Sequence, residues 1–592
     1  MQLEIETRES IQTGVDSRDA YQEDIDAMRD AILHFKQNEL PEDEFKRFRL
    51  HRGIYGQRAD QKGFNMVRIK VPYGLLDSRQ LVTLAGIARN YSDGFAHVTT
   101  RQDVQLHWVR LETVPDVMEK LNQAGLTTRE ACGNTVRNIV GSPLAGVSRD
   151  ELFDVTPYAH LLASHLLRNS LNQTLPRKFK ISFSGSSDER DGIIPWIHDI
   201  GYVAAIEASG SNVKHGFRVF VGGGLGAQPR VADLLEEFIP VEWLIPTTEA
   251  ILSIFNEFGN REKRDKARMK YVLWQLGFAE FKQKVGELRS GILAAGRTFP
   301  EPDIVDEGGY LPLDSPTLPA TNGDVEFNRW LHSNVFSQKQ TGYNVVYLNP
   351  TIGDLTVDQL LTLSRIAENY SNGTVRTTPQ QDIVLRWIRS SDIHSLYNEL
   401  KSVGLNQPGA QQTANVTSCP GADTCNLGIT HSRALGRELT LSLQRQPDWS
   451  ELLGGVRIKI SGCMNSCGQH HVAAIGFHGA TKNVEGGEIP SYIVSISGGM
   501  NSGRYNFGKT LGRVPSHYAA EAALRIIKRF ISERIAGENF WQLVERIGVR
   551  PFRDAISDLA DVRPEKITEE LFVDLGESTK FAAVTGEGEC AV

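Results

Sequence analysis

The chain has 592 residues, of which 40% are hydrophobic and 23% charged, with a formal net charge of −8. This length exceeds what one hydrophobic core supports, so several domains are expected, and the acidic balance argues against a nucleic-acid-binding protein. The polar start MQLEIETRES predicts no secretory signal, and no apolar run is long enough to predict a membrane span. We therefore expect a cytoplasmic protein that acts on neither nucleic acid nor membrane.

The predicted elements begin with a charged helical arm over residues 1–60. A strand is predicted at residues 64–71, followed by an amphipathic helix whose apolar residues recur at helical spacing: Leu81, Leu84, Ala85 and Ala88. A larger α/β section comes next, and a stretch near residues 299–324, rich in Pro, Gly and Asp, is typical of a linker. The Gly- and Glu-rich tail after Asp574 is expected to be mobile.

A second strand is predicted at about residues 96–109, because apolar and polar residues alternate there with period 2. The apolar set is Val104, Leu106 and Trp108, and the polar set is Asp103, Gln105 and His107. Successive strand residues point to opposite faces, so the polar set is expected on one face together with Arg101.

An internal repeat organises the chain. Residues 63–110 match residues 342–389 without a gap at an offset of 279, with 21 of 48 positions identical, and the same offset relates residues 178–182 to 457–461. Such a match indicates a duplicated unit. The predicted domains are the arm (1–60), a first half-domain (61–127), a first larger domain (128–298), a linker (299–330), a second half-domain (331–406), a second larger domain (407–560) and a C-terminal tail (561–592).

The two copies differ at positions that can carry chemistry. Four cysteines occur in the second copy and face residues without thiols in the first: Cys419, Cys425, Cys463 and Cys467 face Val140, Gly146, Ser184 and Asp188. A basic, hydrogen-bonding set in the first copy faces neutral residues: Arg68, Lys70, Arg101 and Gln105 face Tyr347, Asn349, Gln380 and Val384. A pseudo-twofold assembly would let the thiolates of one copy meet the basic face of the other across one cofactor.

The cysteines form the motif C-x5-C followed by C-x3-C. Four thiolates suit a [4Fe–4S] cluster, because its iron prefers soft sulfur ligands. Structural zinc is the alternative, but paired zinc ligands usually have about two to four residues between them, which Cys419 and Cys425 do not match. Glycines beside the cysteines predict close approach of the backbone to a bulky inorganic core: Gly421, Gly462 and Gly468.

At these residues the chain resembles the sulfite/nitrite reductase hemoprotein family, whose cluster signature is the same cysteine motif. The resemblance covers roughly residues 50–560 and includes the duplication. It implies an α+β, internally duplicated, pseudo-twofold architecture of three lobes, in which two ferredoxin-like half-domains form one lobe and two larger α/β domains form the others. It also implies two cofactors, siroheme and a [4Fe–4S] cluster, with Cys467 bridging a cluster iron to the siroheme iron.

The resemblance also assigns roles to other residues, motif by motif. Residues that hold the anion over siroheme correspond to Arg68, Arg137, Lys178 and Lys180, and residues that bind the cofactors correspond to Arg101, Gln105, His107 and Asn465. Cations are needed there, because siroheme carries many carboxylates and an oxyanion loses its hydration in a dry pocket. Some family members carry a Tyr–Cys thioether at what look like Tyr55 and Cys132, although a lone cysteine is more often an inert buried residue.

Three functions stay open: reduction of sulfite to sulfide, reduction of nitrite to ammonia by the same architecture, and electron relay by a non-catalytic iron–sulfur protein. The pair Lys178 and Lys180 favours sulfite, since nitrite reductases of the family commonly carry Asn at the second position. A sulfite dianion also calls for one more cation than the nitrite monoanion. No flavin domain is visible, so a separate electron donor is expected, ferredoxin first and a diflavin NADPH-dependent partner second.

Overall fold

The computed structural model describes residues 17–58, 60–186, 192–209, 212–303, 323–446, 448–501 and 504–583. The arm contains the helices α1 (Ser17–Lys36) and α2 (Glu42–His51). The first half-domain contains β1 (Ile54–Gly56), β2 (Phe64–Ile69), β3 (Leu75–Asp77), α3 (Ser78–Tyr91), β4 (Phe95–Val98), β5 (Val104–Arg110) and α4 (Val114–Gln123). The helix α3 includes the predicted apolar positions, which are buried.

The first larger domain follows, with one sheet covered by helices. It contains β6 (Val140–Gly141), α5 (Thr156–Leu166), β7 (Ile181–Ser184), β8 (Ile200–Ser209), β9 (Asn212–Val221), β10 (Asp233–Pro240), α6 (Leu244–Phe258), α7 (Met269–Leu276) and α8 (Phe278–Ala294). The apolar faces of the sheet and of α5 to α8 bury one another in a common core.

The second copy repeats this order. Its half-domain contains α9 (Val325–Asn334), β11 (Val335–Ser337), β12 (Tyr343–Leu348), β13 (Asp354–Thr356), α10 (Val357–Tyr370), β14 (Thr374–Thr377), β15 (Ile383–Arg389) and α11 (Ile393–Ser402). Its larger domain contains β16 (Thr417–Ser418), α12 (Ser432–Gln444), α13 (Trp449–Leu453), β17 (Ile458–Ser461), β18 (Ile475–Val484), β19 (Gly487–Ile496), β20 (Gly499–Asn501), β21 (Arg504–Asn506), β22 (Lys509–Pro515), α14 (Ala519–Glu533), α15 (Phe540–Ile547) and α16 (Arg550–Ala555).

The two half-domains exchange strands. Their sheets have the orders β1-β2-β5-β4-β13 and β11-β12-β15-β14-β3, so each takes its last strand from the other copy. The helices α3 and α10 pack together, and one continuous hydrophobic core runs through the arm and both half-domains. Two further large cores fill the two larger domains. The predicted duplicated α+β architecture of three lobes is confirmed.

Two glutamines tie the copies together at this junction. The Gln102 amide donates to the carbonyl oxygen of Thr377 at 2.8 Å and accepts from an N–H of β6 at 2.9 Å. The Gln381 amide repeats the arrangement: it donates to the carbonyl oxygen of Val98 at 2.9 Å and accepts from an N–H of β16 at 2.8 Å. Each side chain therefore joins its own turn to the other half-domain and to the first strand of a larger domain.

The sheets of the larger domains have matching orders, β6-β7-β8-β9-β10 and β16-β17-β18-β19-β22. The Ser142 N–H donates to the carbonyl of Phe183 in β7, and the Cys419 N–H donates to the carbonyl of Ile460 in β17. The two hydrogen bonds are equivalent, so Cys419 corresponds to Ser142 at an offset of 277. The prediction that Cys419 faces Val140 is therefore wrong, and so is the predicted match of residues 178–182 to 457–461 at an offset of 279, because Phe183 rather than Ile181 corresponds to Ile460. The second copy is two residues shorter between its half-domain and its first strand, and this deletion shifts the correspondence.

The strand predicted at residues 96–109 is instead a pair of antiparallel strands, β4 and β5. The turn between them is closed by a hydrogen bond from Thr99 N–H to the Asp103 carbonyl at 2.9 Å and contains Gln102 with φ of 61°. Within β5 the predicted alternation fails at Trp108, whose φ of 60° lies in a β-bulge between two registers. Val109 consequently enters the core in its place.

The C-terminal tail packs on the second larger domain. Leu571 and Phe572 are buried against Ile489, and the Ala583 N–H donates to the Glu488 carboxylate at 3.0 Å. Of the tail predicted to be mobile, the structure describes residues 575–583, most of which are exposed, and Cys590 lies outside the described residues. Among the helices that the structure describes, none has the length and apolar character needed to cross a membrane.

Candidate active site

The four cysteines predicted to bind a cluster lie on two loops, one after β16 and one after β17: Cys419 and Cys425, then Cys463 and Cys467. Glycine is required where these loops meet, because a Cβ on Gly462 would lie 2.6 Å from the Cα of Gly421. Gly462 also donates its N–H to the Cys419 Sγ at 3.1 Å. The Asn465 amide donates to the Cys463 Sγ at 3.5 Å, so this predicted cofactor residue supports a thiol.

Loss of hydration opposes ionisation of three of these thiols, although, judged by exposed surface, only Cys419 is buried. It raises the pKa of Cys425 to about 12, and the charge of Cys467 acts in the same direction. The same two causes raise the pKa values of Cys419 and Cys463. The four sulfurs are therefore electrostatic neighbours, and a cationic iron core is what holds such groups as thiolates. No three His, Cys, Asp or Glu side chains converge on a single-ion site in the described part of the chain, whereas a [4Fe–4S] cube takes one thiolate at each iron.

The first copy reaches the cysteine loops through the turn between β4 and β5. The Thr100 Oγ1 donates to the Cys467 carbonyl at 2.7 Å, and the Gln469 amide donates to the Thr100 carbonyl at 3.4 Å. Arg101 follows Thr100 in the same turn. The basic face of the first copy therefore meets the thiol-bearing loops of the second, which is what a pseudo-twofold assembly around one cofactor requires.

Arg68 and Arg137 converge on the phenol of Tyr55. Their Nη1 atoms lie 3.2 Å and 3.4 Å from the Tyr55 hydroxyl, and the Arg68 guanidinium lies 4.9 Å from the ring centroid. Both arginines also donate to the carbonyl oxygen of Ala131, at 3.5 Å and 3.2 Å. Cys132 comes next in the chain and is fully buried. Two predicted anion-binding residues and the two predicted cross-link residues therefore lie at one place.

Lys178 and Lys180 belong to the same cluster of cations. Burial lowers the pKa of Lys180 well below its ordinary range, and the charges of Arg101 and Lys178 act in the same direction, whereas the charge of Cys467 opposes them. Burial also lowers the pKa of Arg101 to about 10, and Arg137 contributes to this effect. Arg101 therefore links the two lysines to the arginine pair, within electrostatic reach of the cysteine loop.

The strand residues predicted to bind siroheme divide into two groups. Gln105 lies opposite Arg68 across β2 and β5, and its amide oxygen, turned to the guanidinium, accepts from Nε at 3.0 Å and from Nη2 at 2.6 Å. Arg101 and His107 differ, because the Arg101 Nε and the His107 Nδ1 are buried without a hydrogen-bond partner among the described residues. Carboxylates are the acceptors such nitrogens need, so both residues fit a carboxylate-rich macrocycle, with His107 protonated at Nδ1.

Sequence reasoning missed two charged residues that complete the cluster, the buried Asp199 and the partly buried Arg268. Asp199 accepts from the Lys180 backbone N–H and from the Arg268 guanidinium, both at 2.8 Å. The charge of Arg268 also lowers the pKa of Lys180, after burial and Arg101. The only sequence signal was the basic stretch at residues 261–270, whose composition is typical of a solvated surface.

Comparisons with known proteins agree with this geometry. A family model described as the nitrite and sulphite reductase 4Fe-4S domain matches residues 132–292 and 409–563, and a model described as the nitrite/sulfite reductase ferredoxin-like half domain matches residues 57–124 and 336–403. An assimilatory ferredoxin-dependent nitrite reductase from Haloferax mediterranei is 30% identical over 546 residues, which cover 88% of this chain and 90% of that protein.

A sulfite reductase [ferredoxin] from Mycobacterium tuberculosis is 29% identical over 491 residues, which cover 81% of this chain and 82% of that protein. The solved structure of the Mycobacterium tuberculosis NirA protein gives a TM-score of 0.75 at 25% identity and covers 91% of this chain and 97% of that one.

The duplicated half-domains, the paired cysteine loops and the two matching family models define a class of oxidoreductases. The chain belongs to the nitrite and sulfite reductase family. Its cofactors are a [4Fe–4S] cluster and siroheme, which supply electrons to an anion when bound. The four cysteines are the residues that would hold the cluster, and the buried nitrogens of Arg101 and His107 are available to siroheme carboxylates.

We expect replacement of Cys467 to be more damaging than any change in the anion site. A Cys467→Ser protein loses a cluster ligand and the bridge that the family resemblance implies, so it should contain no cluster and little siroheme. Iron analysis and the visible spectrum measure this: the wild type should show the Soret and red macrocycle bands, and the variant should lack them. Met464→Leu, at an exposed position of the same loop, is the control. A Cys467→Ser protein with both cofactors and normal turnover would rule out the bridge.

We also expect a thioether between the Cys132 sulfur and a ring carbon of Tyr55, formed by a two-electron oxidation in which dioxygen accepts the two hydrogens and becomes hydrogen peroxide. Peptide mass spectrometry should then find the two peptides joined under fully reducing conditions. Tyr55→Phe, which lacks the hydroxyl that makes the ring electron-rich, is the control and should give separate peptides. If the wild-type peptides separate and Cys132 alkylates quantitatively after denaturation, Cys132 is only a wall of the pocket.

Proposed function

We propose that this enzyme reduces sulfite to sulfide with six electrons, in an anion pocket formed by Arg68, Arg137, Lys178 and Lys180. The observation that carries the proposal is that Arg68 and Arg137 converge on the Tyr55 hydroxyl. Lys180 lies within electrostatic range of Lys178 and of Arg101, whose turn contacts the Cys467 loop. A small oxyanion that enters a buried pocket loses its hydration, and a surplus of positive charge offsets that loss.

The residues of this pocket have separate tasks. Arg68 and Arg137 offer planar guanidiniums, which bind the oxygens of an anion with paired hydrogen bonds and orient it. Lys178 and Lys180 offer compact charges that polarise the bonds to the departing oxygens, and they can pass protons as each oxygen leaves as water. Asp199 holds the backbone of Lys180 in place.

We propose sulfite as the preferred substrate because the pocket contains both Lys178 and Lys180. The second lysine supplies one more positive charge, which the sulfite dianion needs and the nitrite monoanion does not. Reduction of nitrite to ammonia is the second candidate and is also a six-electron change. It is supported by relatives named as nitrite reductases, from Haloferax mediterranei at 30% identity and from Synechococcus elongatus at 30% identity. Many enzymes with such a pocket can be expected to reduce both anions.

For the wild type we expect a higher kcat/KM with sulfite than with nitrite. Lys180→Asn should shift the ratio towards nitrite by about tenfold, or about 1.4 kcal/mol, because the amide keeps hydrogen bonding and loses the charge. Lys282→Asn, at an exposed position on α8, is the control and should leave the ratio unchanged. A wild-type enzyme that clearly prefers nitrite contradicts the assignment of sulfite.

We also propose ferredoxin as the electron donor, with a diflavin NADPH-dependent protein as the alternative. The proposal is supported by the names of the relatives, which are ferredoxin-dependent nitrite and sulfite reductases. Reduced ferredoxin is expected to support sulfide formation, and NADPH with a diflavin reductase is not. Reduced methyl viologen, which needs no specific docking, shows that each preparation is active. Turnover with the flavoprotein alone would reverse the choice.

A further inference from the structure

Asp24 on helix α1 is buried, with 5% of its surface exposed, and is surrounded by three arginines. Its Oδ1 accepts from the Arg129 Nη1 at 3.0 Å and lies 3.1 Å from the Arg52 Nη2, and its Oδ2 pairs with Arg168. The arginines belong to separate segments: Arg52 follows α2, Arg129 precedes the loop of Cys132, and Arg168 follows α5. One carboxylate of the arm therefore joins three parts of the chain.

The charge balance of this group depends on Asp24. The side chains of Arg52, Arg129 and Arg168 are 13%, 16% and 29% exposed, so solvent screens their mutual repulsion poorly. Burial lowers the pKa of Arg52 to about 10, and Asp24 acts in the opposite direction. Without the carboxylate, three largely buried cations would face one another and the segments would move apart.

Glu130 forms a second layer beside this group. Its buried carboxylate accepts from the Arg168 backbone N–H and from the Gln173 amide, both at 2.8 Å. Glu130 and Arg168 both have a left-handed backbone, with φ of 60° and 61°. Such conformations are unfavourable for residues other than glycine and persist only where the surroundings hold them. Asp24 forms ion pairs with Arg129, which precedes Glu130 in the chain, and with Arg168 itself. These ion pairs therefore help to hold both Glu130 and Arg168 in their strained conformations.

Of these two strained residues, Glu130 immediately precedes residues that contact the anion-binding arginines. Ala131, the next residue, offers its carbonyl to the guanidiniums of Arg68 and Arg137. Gly133 accepts from the Arg137 Nε at 3.1 Å and from its Nη2 at 2.8 Å. Because these carbonyls set the direction of both guanidiniums, a displacement at Glu130 would move the groups that bind the anion.

We propose that Asp24 is a positioning residue for the anion pocket: through Arg129, Arg168 and Glu130 it fixes the carbonyl oxygens that orient Arg68 and Arg137. The inference rests on the proposed function, in which these two arginines bind sulfite or nitrite. It gives the N-terminal arm a part in substrate affinity through ion pairs and hydrogen bonds to residues 129–130 and through the backbone that joins them to Ala131.

Asp24→Asn, which keeps the shape of the side chain and removes its charge, tests the inference in the holoenzyme. With methyl viologen as donor, the KM for sulfite and for nitrite should rise about tenfold while kcat changes less than about twofold, because displaced guanidiniums weaken anion binding and leave the electron supply intact. The sulfite concentration that half-shifts the Soret band should rise by the same factor. Asp26→Asn, on an exposed position of α1 where it removes an ion pair with Arg29, is the matched control and should keep wild-type values.

Arg137→Gln, measured in parallel, separates the inference from the proposed function. A raised KM in both variants supports both. A raised KM in Arg137→Gln with a wild-type KM in Asp24→Asn overturns the positioning role and leaves the function standing. A wild-type KM in Arg137→Gln overturns the anion pocket and the inference with it. If Asp24→Asn fails to fold, Asp24→Glu, which keeps the charge on a longer side chain, replaces it: a rise of about threefold is expected, and a wild-type KM overturns the proposal.

Discussion

The reciprocal hydrogen bonds of Gln102 and Gln381 are the contacts on which the rest of the structure depends. Each glutamine stands in a turn of one half-domain, reaches a backbone carbonyl of the other, and fixes the first strand of a larger domain. Gln102 therefore holds Gly141, four residues after Arg137, and Gln381 holds Ser418, the residue before Cys419. Leaving such buried amides unpaired costs about 1–3 kcal/mol per group, so this junction strongly specifies how the two copies meet.

The duplication supplies a common frame, and the differences between the copies supply the chemistry. The first copy concentrates cations at the junction, and burial lowers the pKa values of Arg101 and Lys180 there. The second copy brings four thiols to the same place, and burial raises the pKa values of three of them. In both groups loss of hydration disfavours the charged form. A cluster, a polyanionic macrocycle or an oxyanion brings the opposite charge that stabilises it.

The sequence predicted elements where one periodicity holds and failed where the backbone departs from it. The helix α3 follows from apolar residues at helical spacing, as Leu81 and Leu84 illustrate. The predicted strand divided in two at the turn of Gln102, whose φ is 61°, and its alternation failed at Trp108, whose φ is 60°. Neither residue type signals this conformation. The pairing of Cys419 with Val140 failed because a two-residue deletion leaves no trace in composition, and only the hydrogen bonds of β7 and β17 reveal the shift.

The sequence by itself determined the duplication, the four thiols and the basic set of the first copy, because these are identities at fixed spacings whose chemistry is readable without coordinates. Only the tertiary structure decided which side chains meet. It brought Arg268 and Asp199 to Lys180, turned Gln105 to Arg68, and laid the arm against the loop of Cys132. These contacts join residues far apart in the chain, and no local pattern encodes them, because burial and charge compensation are settled only when separate elements pack together.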